Sequence, residues 1–416
     1  MNECDCSSPS GALALKSLEQ ALDLLLAQAR PVTGTEQASI SGALGRILAE
    51  TQFSRISMPP WDNSAMDGYA VRTSDLATVG TRLRVSQRIP AGVSAGPLEP
   101  GTAARIFTGA PLPDGADAVV IQEQCQREGA QVIVAKLPPP GANIRRAGED
   151  TRQGQEVLPA GTRLGPQHLG LLASVGIASL TVFRRLKVAL FSSGDELVMP
   201  GESLAPGQIY NSNEFTLEGL LRNLGCDLVK LGIVADTFEA TCAALQQAAA
   251  EADLIITSGG VSVGEEDHIK PAVEKLGSLD LWKIAIRPGK PLAFGHIDDT
   301  PLIGTPGNPV SLFVTHCLLA RPFILKLQGV AGSVTPTALT APVDFDWPKP
   351  DTRREFARAR LALDNQGEAR ISIYPSRSSG VLRSLAWANG LAVLPECTPL
   401  KEGDRVQFLP FHELLS

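Results

Sequence analysis

With 416 residues, 44% of them hydrophobic and 19% charged, the chain is too long for one core and too apolar for disorder, which predicts two to four globular domains. A net charge of −7, with no basic tract longer than two residues, argues against an extended nucleic-acid-binding surface but is compatible with a local basic site. The seven cysteines hold no Cys-x-x-Cys pair, and Met1–Ser10 carries Glu3 and Asp5 where a secretory leader would be basic. A cytoplasmic protein without a disulfide framework or structural zinc is expected, and Cys4-x-Cys6 reads as part of a polar, disordered tail.

The spacing of Leu18, Leu22, Leu25 and Leu26 predicts an amphipathic helix over Leu15–Ala29, stopped by Pro31. A second helical pattern covers Ser39–Glu50. From Phe53 to about Lys136 the texture changes to short alternating runs, at 82–85, 118–121 and 131–134, between Gly and Pro clusters; this predicts a β-rich module closed by Pro138-Pro139-Pro140-Gly141. A mixed region with a helix near Gln167–Val175 follows, so the module reads as inserted into another domain. Between Leu186 and about Gly329, strands and helices alternate. Candidate strands are 188–191, 228–234, 254–257, 281–286 and 292–294; candidate capping boxes are Asn211 with Glu214 and Asp236 with Glu239; Pro309 suits a first helical position. This alternation predicts a three-layer α/β domain with a mostly parallel sheet, whose ligands bind at the carboxyl ends of the strands. Leu312–Leu327, interrupted by His316, Arg321, Pro322 and Lys326, reads as too short and polar to span a membrane. Alternating runs after Thr335 predict a small β-barrel-like domain.

The stretch Thr257-Ser258-Gly259-Gly260-Val261-Ser262-Val263-Gly264-Glu265-Glu266-Asp267 carries the most chemistry. It joins an apolar strand to a helix-compatible segment. Small and hydroxyl residues at such a turn let backbone N–H groups approach an anion, and Asp267 adds a hard oxygen ligand for a divalent metal. It is neither a P-loop nor a dinucleotide fingerprint. The pattern fits a phosphorylated ligand, and it equally fits an ordinary tight βα turn.

Together with Asp62–Ala70 (DNSAMDGYA), Phe107–Pro113 (FTGAPLP), Asn143–Asp150 (NIRRAGED), Ser193–Leu197 (SGDEL), Arg287–Pro291 (RPGKP) and Gly304–Ser311 (GTPGNPVS), this stretch resembles the molybdopterin molybdenumtransferase family, MoeA in bacteria and the gephyrin E-domain in animals. The resemblance runs from about residue 15 to the C-terminus. It implies a multidomain α+β fold: an elongated mixed domain split between 11–52 and 141–185, an inserted β-rich module at 53–140, an α/β molybdopterin-binding domain at 186–334 and a C-terminal β domain at 335–416. The implied reaction takes adenylylated molybdopterin and molybdate, cleaves the pyrophosphate link, inserts molybdenum at the dithiolene and releases AMP, with Mg²⁺ as cofactor. A homodimer is expected, because assigned residues come from segments as distant as Asp67, Asp267 and Ser379; an upstream adenylyltransferase and downstream molybdoenzyme-maturation proteins are candidate partners, and charge and composition argue against nucleic acid and membrane.

The resemblance assigns Asp67, Thr108, Asp150, Glu196, Asp236 and Asp267 to catalysis, with Glu196, Asp236 and Asp267 at the metal. It assigns Ser258, Gly259, Gly260, Ser262, Pro306, Gly307, Asn308 and Pro309 to the pterin ligand, and Lys283, Arg287, Lys290, Ser311, Arg358 and Ser379 to molybdate. Arg287 departs from the lysine expected there, replacing a point charge with a bulkier, bidentate group. Each assignment has a plainer alternative. Asp236 fits an N-cap, Glu196 a solvated turn, Asp150 a loop acid pairing with Arg145, Arg146 or Arg152, Asp67 a turn acid, Thr108 a turn cap, and Lys283 and Arg358 a solvated strand face. Arg358 and Arg360 share one strand face, so the pattern does not choose between them. Asp67 lies far from the α/β domain in sequence and would reach the site by domain packing or from a partner subunit. The five histidines are scattered; His268 is notable only for adjoining Asp267. Two rival readings are an adenylyltransferase, which would need only the α/β domain, and a non-catalytic scaffold, which would need a peptide groove or further domains.

Overall fold

The structure, a computed structural model, describes residues 15–259, 268–289 and 291–416, with only the backbone at 281, 282 and 291. The chain divides into two compact units, one made of 37–44 and 50–181, the other of the remaining described residues.

The first unit is built on a six-stranded sheet, in the order Ala118–Ile121, Gly68–Val71, Thr102–Ile106, Arg82–Ile89, Gln131–Val134, Cys125–Glu128. Strand residues alternate between two faces. Tyr69, Val71, Ala103 and Val120 bury on one, Ala70, Ala104, Ile106 and Val119 on the other. Gly68 is required by packing, because a Cβ there would sit 2.0 Å from the Val120 carbonyl oxygen. Pro166–Ser174 is helical. The helix expected over Ser39–Glu50 does not form. Only the 3₁₀ turn Ile40–Gly42 is present, with Gly42 N–H donating to Ser39 Oγ at 3.3 Å. Gly45 follows at φ 75°, a left-handed conformation that stops helical propagation.

The second unit holds the α/β domain: β1 Lys187–Ser193, α1 Ser212–Asn223, β2 Asp227–Val234, α2 Phe238–Glu251, β3 Leu254–Ser258, α3 Ile269–Leu276, β4 Gly277–Lys283, β5 Pro291–Ile297 and β6 Thr300–Thr305. Sheet order is β2-β1-β3-β6-β5-β4. The first four strands run parallel, while β5 and β4 extend the sheet antiparallel. Helices cover both faces, so the central strands are apolar on both sides. Val188, Leu190, Leu254 and Ile256 pack toward α1, the helix Leu18–Gln28 and the helix that begins at Pro309. Ala189, Phe191 and Ile255 pack toward α2 and α3.

The helix from Pro309 to Leu327 spans 19 residues, interrupted by a π-helical turn at His316–Ala320. It starts earlier than the Leu312 read from the sequence. With a mean hydropathy of 1.5 it is long and apolar enough to cross a membrane by length and composition alone, contrary to expectation. Because 94% of that window is buried inside the protein, its hydrophobicity is accounted for by the core.

At the C-terminal end, a second six-stranded sheet orders Ile286–Arg287, Arg354–Leu363, Gly390–Leu394, Arg405–Pro410 and Leu339–Pro342, with Ala369–Ile373 also paired to Arg354–Leu363. A bridge between Val343 and Ile371 brings its edges together around Trp347, Ala359, Ala392 and Phe408.

Candidate functional site

Parallel strands β1, β2, β3 and β6 end side by side at Ser193, Val234, Ser258 and Thr305, where an open α/β sheet presents its ligand crevice. Two glycine turns meet there. Gly259 has φ +91°, and its N–H donates to Thr305 O at 3.1 Å. A Cβ at Gly259 would lie 3.2 Å from the Ser193 carbonyl oxygen, and one at Gly307 would lie 4.0 Å from Gly259 Cα. Thr305 Oγ1 donates to Thr257 O at 2.7 Å and ties the two strand ends. The turns and their neighbours line a cleft of about 700 Å³. It brings together Glu196, Asp236, Ser258, Gly259, Pro306, Gly307, Asn308, Pro309 and Ser311 of the residues singled out in the sequence. Gly260, Ser262, Asp267 and Lys290 lie outside the described residues.

Asp236 is not the N-cap of α2. Thr237 takes that role, its Oγ1 accepting from Ala240 N–H at 3.3 Å. The Asp236 carboxylate is therefore not spent on capping. It accepts from Ser193 Oγ at 3.0 Å, and its own N–H donates to Asp195 Oδ1 at 3.3 Å. Glu196 folds back over Gly194, where a Cβ would sit 2.5 Å from Glu196 Oε2. Two carboxylates on a wall of otherwise neutral hydroxyl, amide and backbone groups are a hard-oxygen donor set. That set fits Mg²⁺, which takes one or two carboxylates with water and phosphate oxygens.

The head of α1 forms another wall. Asn211 caps it by accepting from Glu214 N–H at 3.3 Å, and Ser192 Oγ donates to Asn211 Oδ1 at 3.2 Å. Glu214, 2% exposed, is neutralised by Lys230 at 2.8 Å. Asn213 reaches across the cleft floor, its Nδ2 donating to Ser258 Oγ at 2.9 Å and to Gly307 O at 2.8 Å. Sequence reasoning credited Asn211 as the cap and passed over Asn213, whose partners lie far away in sequence.

The basic residues are placed differently. Among the described residues, the cleft lining does not include Lys283, Arg287, Arg358 or Ser379. Lys283 is exposed at the end of β4. Arg287 is held by Asp351 at 2.7 Å, with Glu355 at 3.9 Å. Arg358 is 2% exposed, so the solvated strand face is ruled out for it. Its guanidinium donates to Ser384 Oγ at 3.0 Å and to the carbonyls of Ser376 and Ser378. Burial disfavours its charge and lowers its pKa, with Glu355 opposing. Arg360 instead lies over the Trp387 ring, 4.8 Å from its centroid. The loop that Arg358 holds leads to Ser379, whose carbonyl accepts from Val310 N–H at 3.0 Å, and on to Gly380 and Leu382 in the cleft wall.

In the other unit, Asp67 and Thr108 are brought together. Thr108 donates both its N–H and its hydroxyl to Asp67 Oδ1, each at 2.8 Å, and these bonds hold the carboxyl below its usual pKa. Arg146 pairs with Asp62 at 2.6 Å rather than with Asp150, whose N–H donates to Met58 O at 3.0 Å.

Comparison with known proteins matches residues 16–176 to the MoeA N-terminal region (domains I and II), 189–326 to a probable molybdopterin binding domain, and 340–411 to the MoeA C-terminal region (domain IV). The chain is 42% identical over 402 residues to the molybdopterin molybdenumtransferase of Haemophilus influenzae, covering 96% of this chain and 99% of that one. It is 38% identical to that of a Nostoc species, covering 87% and 85%. A crystal structure of the molybdopterin biosynthesis MoeA protein from Pyrococcus horikoshii superposes with a TM-score of 0.81 at 29% identity, covering 95% of this chain and all of that one. With this identity over nearly its whole length, the chain belongs to the molybdopterin molybdenumtransferase family.

Proposed function

We propose that the protein inserts molybdenum from molybdate into adenylylated molybdopterin, cleaving the pyrophosphate link and releasing AMP, in molybdenum cofactor biosynthesis. The observation that carries this reading is the meeting of two glycine turns and two carboxylates at the carboxyl ends of four parallel strands. Such a cleft offers backbone and hydroxyl donors for phosphoryl oxygens beside hard ligands for a divalent cation. Relatives named molybdopterin molybdenumtransferase support the transferase part of this reading.

In this reading Ser258, Gly259, Gly260 and Ser262, with the turn Pro306–Pro309, hold the phosphoryl groups. Glu196 and Asp236, with Asp267, would hold Mg²⁺, which supplies charge neutralisation on the bridging phosphates when bound. Asp236, itself oriented by Ser193, positions the attacking water. Molybdate is a substrate, a dianion for which Ser311 in the cleft supplies a donor; Lys283 and Arg287, outside the cleft lining, would turn toward it, Arg287 leaving Asp351, and with Lys290 would supply positive charge. Arg358 acts on it through the loop carrying Ser379. Asp67, Thr108 and Asp150 are proposed as further catalytic groups, and a homodimer in the cytoplasm is proposed with them.

The test separates the reaction from its rivals. Purified protein is given either molybdopterin with ATP or adenylylated molybdopterin with molybdate and Mg²⁺. AMP release from the second mixture, with no pyrophosphate from the first, is expected. Pyrophosphate from the first would make the protein an adenylyltransferase, and turnover of neither would leave a scaffold.

A further inference from the structure

Asn213, the second residue of α1, touches both glycine turns. A carbonyl oxygen only accepts, so the group facing Gly307 O must be the amide NH₂, which fixes the orientation of the side chain. One hydrogen goes to Gly307 O at 2.8 Å and the other to Ser258 Oγ at 2.9 Å. Two consequences follow. Ser258 Oγ is committed as an acceptor, leaving its own hydrogen to donate, and Ser258 lines the cleft. Holding the Gly307 carbonyl also turns the Asn308 N–H to the opposite side of the same trans peptide. The cost is visible, because Asn213 Oδ1 is buried with no partner among the described residues. A buried acceptor left unsatisfied costs stability, so the fold alone does not explain why the amide sits here.

We propose that Asn213 is a positioning residue. It sets the Ser258 hydroxyl as a donor and locks the Gly307–Asn308 peptide, so that both turns present donors to one phosphoryl group. The inference rests on the reading that the cleft takes such a group.

A double-mutant cycle tests it, with AMP as probe and affinity measured calorimetrically for wild type, Ser258→Ala, Asn213→Ala and the double variant. A hydrogen bond to a charged phosphoryl oxygen corresponds to about tenfold in affinity. Ser258→Ala should lose about that factor, and Asn213→Ala about its square, because it frees both donors. The double variant should bind about as Asn213→Ala does, because Ser258 has already lost its orientation. Asn213→Ser, which can donate to only one of the two acceptors, should fall between wild type and Asn213→Ala, and it serves if Asn213→Ala fails to fold. Losses that multiply to about a thousandfold in the double variant, or an Asn213→Ala protein that binds AMP like wild type, would overturn the positioning role alone. A wild-type protein that binds no AMP would bring down the phosphoryl reading and this inference with it.

Discussion

Gly259→Ala probes the cleft through two separable effects. Its φ of +91° lies in the left-handed region, where an L-residue costs about 1–2 kcal/mol. The added methyl would also stand 3.2 Å from the Ser193 carbonyl oxygen, so that strand end must yield. Gly232 supplies the control. It lies in β2 of the same sheet at φ +73°, with nothing within 4 Å of a built Cβ, so Gly232→Ala carries the backbone cost alone. The close contact should add about 1 kcal/mol at Gly259, in the lower range of overpacking penalties. At about 2–4 °C per kcal/mol, thermal unfolding should resolve Gly259→Ala below Gly232→Ala. The larger difference is in turnover. Ser193 orients Asp236 through a 3.0 Å hydrogen bond, so displacing it disturbs an acid proposed to hold the metal. A displacement of this kind can cost up to about 10²-fold in rate, whereas Gly232→Ala should turn over like wild type. Equal melting and equal turnover in the two variants would refute both the steric argument and the link from Ser193 to Asp236.

Asp236→Asn and Asp267→Asn should each keep the fold and lose about 10²-fold or more in turnover, and near-wild-type rates at saturating Mg²⁺ would remove them from the metal site. Arg358→Ala should weaken the molybdate dependence of AMP release much more than affinity for the adenylylated pterin; equal losses would show that Arg358 does not serve molybdate selectively. Burial alone would raise the pKa of Asp351, but its hydrogen bonds to Arg353 and Arg287 outweigh burial and hold the carboxyl well below the usual range. That contribution to stability is present above the unfolded value of about 3.9 and is lost as pH falls toward the folded value. Asp351→Asn should therefore lose less stability than wild type on acidification from about pH 5 to pH 2, and parallel melting profiles would contradict this. If the active unit is a homodimer whose subunits both contribute acids, mixing inactive Asp67→Ala and Asp267→Ala proteins should restore activity after subunit exchange; no recovery, with a monomer by light scattering, rules it out.

The α/β domain was legible because its strands are buried on both faces and its turns carry strong local signals. Apolar runs such as Leu254–Thr257 became β3, and Pro309 opened its helix as the missing N–H of proline allows. Ser39–Glu50 was misread because apolar spacing does not weigh the left-handed Gly45 that breaks the turn. Asp236 and Glu239 matched a capping box, but Thr237 stood one residue closer and took the cap, a competition that spacing does not resolve. The glycine turns could be found because their chemistry is local, whereas Glu196 and Asp236 were marked by the resemblance, their local patterns fitting a solvated turn and an N-cap. The role of Asn213 could not, because it depends on Ser258 and Gly307, 45 and 94 residues away in sequence. The burial of Arg358 was equally hidden, since a strand pattern distinguishes faces and not what covers them.

The central claim is that this cleft couples pyrophosphate cleavage to molybdenum insertion. The most direct measurement is a single-turnover reaction of purified protein with adenylylated molybdopterin and Mg²⁺, following AMP and pterin-bound molybdenum together, with and without molybdate. One AMP per molybdenum inserted is expected, with neither product formed by Asp236→Ala. AMP released at the same rate and extent without molybdate, or molybdenum bound to the pterin without AMP, would contradict it.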